Sequence, residues 1–255
     1  MSNNKITALV TGASAGIGAE FCRQLAAPCD VIIASGRRED RLQAIADELA
    51  GQVEVHVLVA DLSRREGLTR VIESLRQQGP VDYLVNNAGF GVPGMFADVE
   101  LEPQQQMVSV HIDATLALCR AALPFMCDKG RGYIINVSSL SAFGPMAAVA
   151  VYGASKAFLN HFSEALQLEV GDSGIKVQSL CPGYTRSEFH GRDSMAGFSI
   201  DSVPDEVWME ASEVVAISLA ALQGDRVVVV TGERNHAVAV NGLQAQLGQL
   251  DGGAE

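Results

Sequence analysis

The sequence predicts a single doubly wound α/β domain with a mostly parallel sheet of about seven strands. Its 255 residues suit one large domain with a well-buried core. Hydrophobic residues make up 48% of the chain and charged residues 19%, which is typical of a globular protein. Strand-like and helix-like segments alternate, and strands such as Val31-Ile32-Ile33 are continuous apolar runs. Such runs indicate a parallel sheet that is covered by helices on both faces.

The alternation assigns the elements in order along the chain. Strands are predicted over 5–11, 31–35, 53–60, 81–86, 133–137, 176–180 and 226–230. Helices are predicted over 15–27, 41–50, 66–77, 103–127, 151–170 and 206–222. Right-handed crossovers join these strands into one sheet, within a domain of residues 1–241. The irregular stretch 182–204 is expected to form a substrate lid, and the Gly- and Gln-rich residues 242–255 a flexible tail.

Composition and charge narrow the classes of function. The formal net charge of −12 disfavours binding to nucleic acid and to anionic membranes. Five scattered cysteines indicate reduced, buried thiols, and the five histidines lack the spacing of a metal site. We find no signal-peptide pattern, and no apolar run approaches the ~20 residues that span a bilayer. The expected location is therefore the cytoplasm, with no metal bound.

A glycine-rich loop joins the first predicted strand to the first predicted helix. It reads Thr11-Gly12-Ala13-Ser14-Ala15-Gly16-Ile17-Gly18. Glycines allow a tight turn and a close approach of the backbone to a ligand, and a helix N-terminus attracts phosphate. The spacing differs from the common dinucleotide fingerprint, and a plain turn is the alternative. The position between strand and helix favours a pyrophosphate site.

The end of the second strand predicts which dinucleotide binds. A carboxylate there would bind a ribose 2′-hydroxyl, whereas arginine favours a 2′-phosphate. The chain carries Arg37 and Arg38 at this point, and no carboxylate precedes Glu39. A solvated helix start is the alternative interpretation. Because arginine at a helix N-terminus opposes the helix dipole, a bound phosphate explains the pair better, and we expect NADPH.

A tyrosine and a lysine are spaced to share one face of a predicted helix. Tyr152 and Lys156 lie one helical turn apart, and Ser139 follows the strand over 133–137. A neighbouring ammonium would lower the pKa of the phenol towards the useful range. The Ser139 hydroxyl would hydrogen-bond the same substrate oxygen. Taken alone, such a pair is more often an ordinary surface feature.

Together these motifs resemble the short-chain dehydrogenase/reductase family over nearly the whole chain. The matching motifs are Thr11-Gly12-x-x-x-Gly16-x-Gly18, Asn86-Asn87-Ala88-Gly89, Asn136-Val137-Ser138-Ser139, Tyr152-x-x-x-Lys156 and Pro182-Gly183. The resemblance implies a Rossmann-type fold and a dinucleotide held by residues of all these loops. It implies that Asp61 and Leu62 flank the adenine and that Asn87, Ala88 and Gly89 line the cofactor. It also implies that Pro182 and Gly183 contact the nicotinamide, and that Tyr152 and Lys156 contact the cofactor too.

Three positions depart from the family pattern. Ala15 stands where many NADPH-preferring members have a basic residue, so Arg37 and Arg38 must supply the preference. Ser187 replaces a threonine after Pro182-Gly183 and keeps a hydroxyl for the cofactor. His111 replaces the asparagine that, in the family, helps hold a water linking the lysine to solvent. Either the histidine substitutes without effect, or it alters the proton relay and so joins the catalytic residues.

The predicted function is an NADPH-dependent oxidoreductase that transfers hydride between the nicotinamide and a carbonyl or alcohol, with Tyr152 as acid/base. The alternative is a non-catalytic NADPH sensor of the same fold; an intact glycine loop disfavours a dehalogenase or dehydratase. We expect a small-molecule carbonyl or alcohol of apolar character as the substrate, and a homodimer or homotetramer formed by the helices over 103–127 and 151–170. The candidate pocket residues, each of which could equally belong to the core, are Phe90, Met95, Phe143, Met146, Val149, Tyr184, Met195 and Phe198.

Overall fold

A computed structural model describes residues 5–78, 80–191, 195 and 199–251. Its main sheet has seven strands, all paired in parallel, so the predicted fold class is confirmed. Most predicted strands recur with ends shifted by one to three residues, because apolar periodicity locates a strand better than its termini. The strands are β1 (Thr7–Thr11), β2 (Val31–Gly36), β3 (Glu54–Val59), β4 (Tyr83–Asn86), β5 (Gly132–Val137), β6 (Ile175–Cys181) and β9 (Val228–Val230).

Helices cover both faces of this sheet, as the apolar strands require. Two buried clusters form the core, one on each face, and they include Phe21 and Leu42 on one side and Leu118 and Met126 on the other. The helices are α1 (Gly16–Leu25), α2 (Glu39–Glu48), α3 (Arg65–Gln78), α4 (Leu101–Val108), α5 (Ala114–Lys129), α6 (Ala150–Val170), α7 (Ala211–Ala221) and α8 (Glu233–Asp251).

The helix predicted over 103–127 contains an irregular turn. A π-helical segment, Ser109–Asp113, joins α4 to α5 within the continuous helix Leu101–Lys129. By length and composition this helix could cross a membrane, with a mean hydropathy of 1.3, contrary to the expectation that no apolar run is long enough. Leu118, Ala122 and Met126 pack in the core, so its apolar character is that of a sheet-covering helix.

Two predictions in the C-terminal third are wrong. The helix predicted over 206–222 begins only at Ala211, because Met209–Glu210 forms a short strand, β8, that pairs with β7 (Thr185–Arg186). Most of the tail expected to be flexible belongs to α8, which extends to Asp251. Gln246 holds α8 in place by donating a hydrogen bond to the Phe143 carbonyl over 2.7 Å. Residues 252–255 lie outside the described residues.

The strand order determines where a ligand can bind. The order is β3-β2-β1-β4-β5-β6-β9, so successive crossovers run in opposite directions on the two sides of the β1–β4 pair. In open parallel sheets, this reversal leaves a crevice at the carboxyl ends of the strands. The loops that carry the predicted site residues leave from these ends.

Candidate active site

The structure brings the predicted motifs together at the carboxyl edge of the sheet. Thr11, at the end of β1, accepts hydrogen bonds at its hydroxyl from the backbone N–H groups of Asn87 and Ala88, each over 3.0 Å. The Asn87 side-chain amide donates back to the Thr11 carbonyl over 2.9 Å. The loop after β4 is thereby held against the loop after β1, across the crevice where a dinucleotide would lie.

The glycines of the first loop sit where side chains would not fit. Gly12 has a φ of +66°, and a Cβ added there would lie 2.8 Å from the Asn87 amide. A Cβ on Gly18 would collide with the Gly12 carbonyl. Near the other end of the site, a Cβ on Gly183 would lie 2.6 Å from the Asn235 side chain. These positions need glycine for close packing, which leaves backbone facing the crevice.

Helix α1 offers an anion site at its N-terminus. Its N-cap is Ala15, which makes no side-chain cap hydrogen bond, and its first turn has no acidic residue. The first N–H groups of a helix need partners, and the positive end of the helix dipole favours an anion. The first turn contains Ile17 and Gly18 and therefore fits a dinucleotide pyrophosphate.

The two arginines after β2 lie in different surroundings. The Arg38 guanidinium donates to the Ser14 hydroxyl over 3.2 Å, so a basic and a hydroxyl group meet beside the glycine loop. Arg37 is exposed and lies closer to Asp61. Burial acts to raise the pKa of the Asp61 carboxyl, but hydrogen bonds from Ser63 and the charge of Arg37 bring it below its usual value. The Asp61 carboxylate is therefore ionised at neutral pH.

Leu62 lies in a different place from that expected of an adenine contact. Its side chain is buried in the core cluster that contains Leu9 and Val71. The side chain therefore faces the core, and only the backbone of Leu62 is left to face the crevice. An apolar residue shortly after a strand is equally typical of a core anchor, which the motif alone does not reveal.

Tyr152, Lys156 and Ser139 lie close together beside this crevice. Ser138 donates from its hydroxyl to the Lys156 carbonyl over 2.8 Å, which ties the end of β5 to α6. The Lys156 ammonium donates to the Val137 carbonyl over 2.8 Å and lies 5.6 Å from the centre of the Tyr152 ring. The Ser139 hydroxyl lies near enough to the Tyr152 phenol to act against the rise of its pKa. A substrate oxygen could approach the tyrosine and serine hydroxyls together.

Burial shifts the pKa values of this group. It raises the pKa of the Tyr152 phenol, and the Ser139 hydrogen bond opposes the rise only partly. It also lowers the pKa of Lys156 to about 7, because the charged form loses its hydration. The predicted lowering of the phenol pKa is therefore wrong, because the net shift is upward. A protonated phenol at neutral pH suits a proton donor, which is the role that carbonyl reduction requires.

His111 lies in the π-helical segment and is fully engaged in hydrogen bonds. Its Nε2 accepts from the Phe90 backbone N–H over 3.3 Å, and its Nδ1 contacts the Ser155 hydroxyl over 2.8 Å. Because Nε2 accepts, Nδ1 must carry the proton and donate it to Ser155. Ser155 in turn donates to the Tyr152 carbonyl over 2.7 Å. The imidazole thus links the loop after β4 to the backbone of the tyrosine.

The same surroundings keep His111 neutral. Burial lowers its pKa well below the usual value, and the positive charge of Lys156 adds to this effect. The sequence leads one to expect His111 to acquire charge below about pH 6; the structure moves that pH lower. Both ring nitrogens already have partners, so the geometry favours positioning over proton relay.

We expect His111→Asn and His111→Gln to lower stability without changing the shape of the pH–rate profile between pH 5 and 9. Asparagine can replace only the Nδ1 contact and glutamine only the Nε2 contact, so each loses one buried hydrogen bond, about 1–3 kcal/mol. Chemical denaturation measures the loss of stability. Rates of the unaltered protein and the two variants between pH 5 and 9 show whether the shape of the profile changes. An acidic limb that only the histidine protein displays would restore the relay role.

The structure divides the predicted pocket residues. Met95 and Met146 are each 56% exposed and Tyr184 is 37% exposed, in the loops after β4, β5 and β6 at the carboxyl edge of the sheet, which we call the rim. Met195 reaches the loop after β4, where a Cβ on Gly91 would lie 2.7 Å from its sulfur. Phe143 fits the alternative for these residues, because it is buried with Cys181 and Ala239 and belongs to the core. Phe198 lies outside the described residues.

Sequence reasoning missed two residues at this site. Glu188 forms an ion pair with Arg38 over 2.7 Å, although 150 residues separate them. Ser155 lies inside the Tyr152-x-x-x-Lys156 motif at an unspecified position, and its contact with His111 spans 44 residues. No local pattern reports a pairing over such distances. The motif spacing would only have suggested that Ser155 lies near the tyrosine.

Known proteins resemble this arrangement. A short-chain dehydrogenase from Sphingobium yanoikuyae in complex with NADPH is 32% identical, with a TM-score of 0.83 over 96% of this chain and 95% of that one. The bulky-bulky ketone specific alcohol dehydrogenase from Comamonas testosteroni is 29% identical, with a TM-score of 0.79 over 98% and 95% of the two chains. The inactive hydroxysteroid dehydrogenase-like protein 1 of Rattus norvegicus is 40% identical over 185 residues, 71% of this chain and 56% of that protein.

The family match itself covers most of the chain. Residues 6–195 match the short chain dehydrogenase family, from the start of β1 through the segment after β7. The match includes the glycine loop, the Ser139, Tyr152 and Lys156 group, and Pro182-Gly183. This chain therefore belongs to the short-chain dehydrogenase family of oxidoreductases, which act on small molecules with a nicotinamide cofactor.

Proposed function

We propose that this protein is an NADPH-dependent carbonyl reductase with Tyr152 as its general acid. The observation that carries the proposal is that the Tyr152, Ser139 and Lys156 group lies at the same carboxyl edge of the sheet as the N-terminus of α1 and the Arg38–Ser14 pair. The arrangement joins proton-transfer chemistry to an anion site for the cofactor. The NADPH complex of the similar Sphingobium protein supports the choice of cofactor.

Each residue of the site has a separate role in the proposed reduction. Pro182 and Gly183 would hold the nicotinamide, which when bound would supply hydride to the carbonyl carbon. Tyr152 donates its phenolic proton to the carbonyl oxygen, on which negative charge develops. Ser139 donates a hydrogen bond to the same oxygen and holds it near the phenol. Lys156 stabilises the phenolate that remains and would contact the cofactor ribose.

The rim of the site favours a bulky, apolar ketone. Met95, Met146 and Tyr184 expose apolar surface there, and Phe189 lies with its ring centre 6.2 Å from that of Tyr152. An apolar rim binds hydrophobic substituents on both sides of a carbonyl better than it binds a charged group. The similar Comamonas protein is named for bulky-bulky ketones, which agrees with this substrate class.

NADPH oxidation with a matched set of ketones tests the proposal. The set should include diaryl and cyclic ketones, a small ketone such as acetone, and a short charged aldehyde. We expect kcat/KM to be greatest for the bulky ketones, with NADPH preferred to NADH. Turnover of the charged aldehyde alone would overturn the substrate class.

A non-catalytic sensor is the second candidate, because one relative is named inactive. This chain retains Ser139, Tyr152 and Lys156 in one group, whereas a sensor would need only the cofactor site. Tight NADPH binding without turnover of any ketone in the set would favour the sensor.

We further propose that the chain forms a homodimer or homotetramer through its long helices. Leu116 and Phe125 on α5 are 38% and 37% exposed, and Leu168 on α6 is 89% exposed. Exposed apolar residues on neighbouring helices suit an isologous interface. Light scattering at micromolar concentration should therefore give at least twice the mass of one chain, and Leu168→Glu should shift the mass towards the monomer. A monomer in the unaltered protein would reject this assembly.

A further inference from the structure

The segment after β7 crosses the proposed cofactor site. The Ser187 side chain lies against Gly16, where an added Cβ would come within 2.7 Å of the Ser187 Cβ. The next residue, Glu188, places one carboxylate oxygen 2.7 Å from the Arg38 guanidinium and the other 3.8 Å from that of Arg41. Phe189 then packs beside the Tyr152 ring. Three consecutive residues thus contact the glycine loop, the arginines and the tyrosine.

We propose that the Glu188 carboxylate is an internal competitor for the 2′-phosphate of the cofactor, which holds this segment closed until the phosphate displaces it. The inference rests on the proposed use of NADPH. It adds to that proposal a residue that couples recognition of the phosphate to release of the segment over Tyr152.

The chemistry of the two anions supports the competition. Arginine binds carboxylate and phosphate through the same fork of N–H donors. Arg38 also contacts Ser14 beside the glycine loop, where the 2′-phosphate is expected, so Glu188 holds the guanidinium that the phosphate requires. Two anions in one such site repel each other. Phosphate and the Glu188 carboxylate therefore compete for Arg38.

The ion pair between Arg38 and Glu188 is weak enough for a phosphate to displace, and we call this displaceable pair the latch. The side chains of Arg38 and Glu188 are 40% and 42% exposed, so water screens their attraction. A phosphate with more charge than a carboxylate can outcompete so exposed a pair. A ribose 2′-hydroxyl carries no charge and cannot, so NADH lacks the group that opens the latch.

Release of Glu188 would also change access to Tyr152. Glu188 and Phe189 are adjacent, so a shift of the carboxylate away from Arg38 moves the ring beside the tyrosine as well. The substrate face of the phenol would therefore open when the phosphate binds.

Two nucleotides that differ only in the 2′-phosphate test the latch. The first is adenosine 2′,5′-bisphosphate and the second is 5′-AMP, neither of which carries a nicotinamide. Their dissociation constants are measured by calorimetry at low ionic strength with the unaltered protein, Glu188→Gln and the control Asp201→Asn. The control removes the same charge from an exposed residue of the same region.

We expect Glu188→Gln to tighten the bisphosphate by about two- to fivefold, the scale of an exposed ion pair, and to leave 5′-AMP unchanged. The Asp201→Asn protein should match the unaltered one. In an Arg38→Ala background the gain should vanish, because the competitor no longer has a shared partner. Hydrogen exchange of the peptide over 183–191 should rise when the bisphosphate binds to the unaltered protein, but not when 5′-AMP binds.

The outcomes separate the two proposals. If the unaltered protein binds both nucleotides equally, the proposed NADPH preference fails, and the latch fails with it. If it prefers the bisphosphate but Glu188→Gln and Asp201→Asn behave alike, the preference stands and the latch is overturned. A gain that persists in the Arg38→Ala background would also overturn it, since Glu188 would then act through general charge alone.

Discussion

Replacing Tyr152 with phenylalanine is expected to lower turnover by at least ~10²-fold, the scale of general acid catalysis, while NADPH binding stays nearly unchanged. The substitution removes the proton donor and keeps the ring, so the contacts of Phe189 and His111 with that ring persist. Burial keeps the phenol pKa above its usual value, so Tyr152 stays protonated, as a proton donor must be, through neutral pH. Steady-state rates and fluorescence titration of NADPH give the two quantities.

Tyr133→Phe is the matched control. The Tyr133 ring stacks on that of Tyr83, with 4.7 Å between the ring centres, away from the catalytic group. The substitution removes the same phenolic oxygen as Tyr152→Phe. It should retain the rate of the unaltered enzyme. Near-normal turnover in the Tyr152→Phe protein would remove the tyrosine from the mechanism and leave the fold and cofactor site unaffected.

Replacing both Arg37 and Arg38 with alanine should weaken NADPH binding by more than roughly tenfold and leave NADH little changed. A charged hydrogen bond contributes ~1.5–3 kcal/mol, and only NADPH has the 2′-phosphate that receives it. The structure ranks the two residues: Arg38 contacts Ser14 beside the glycine loop, whereas Arg37 lies near Asp61. The single Arg38→Ala change should therefore account for most of the loss.

A double variant elsewhere controls for net charge. Arg76→Ala with Arg226→Ala removes the same two charges at exposed positions of α3 and of the connection before β9. Direct titration with both cofactors should leave this control unchanged. Tighter binding of NADH than of NADPH by the unaltered protein would contradict the prediction that the arginines after β2 bind the 2′-phosphate.

The motifs carried the prediction of the site because each one is local. The glycine loop needs only a strand, a turn and a helix N-terminus, and the structure supplies all three around Gly12 and Gly18. The Tyr152–Lys156 spacing needs only a helix, and α6 provides it. The sequence did not predict residues whose role has no local pattern. Glu188 and Ser155 acquire their contacts from loops far away in the sequence.

The protonation of the site also required the structure. The sequence places Lys156 near Tyr152 and so predicts a lower phenol pKa, since opposite charges attract. Burial acts on both groups in the other direction: it raises the pKa of Tyr152 and lowers that of Lys156. Burial depends on how the whole chain packs around α6, so spacing within one helix does not report it.

By itself the sequence determined the α/β class, the seven strands and the residues that gather at their carboxyl ends, because periodicity and motif spacing act over a few residues. Only the tertiary structure decided the π-helical turn that engages both nitrogens of His111, the packing of α8 against Phe143 and the contact of Glu188 with Arg38. Each of these depends on contacts between distant segments, and the free energy of such contacts arises only when the sheet and its helices have assembled.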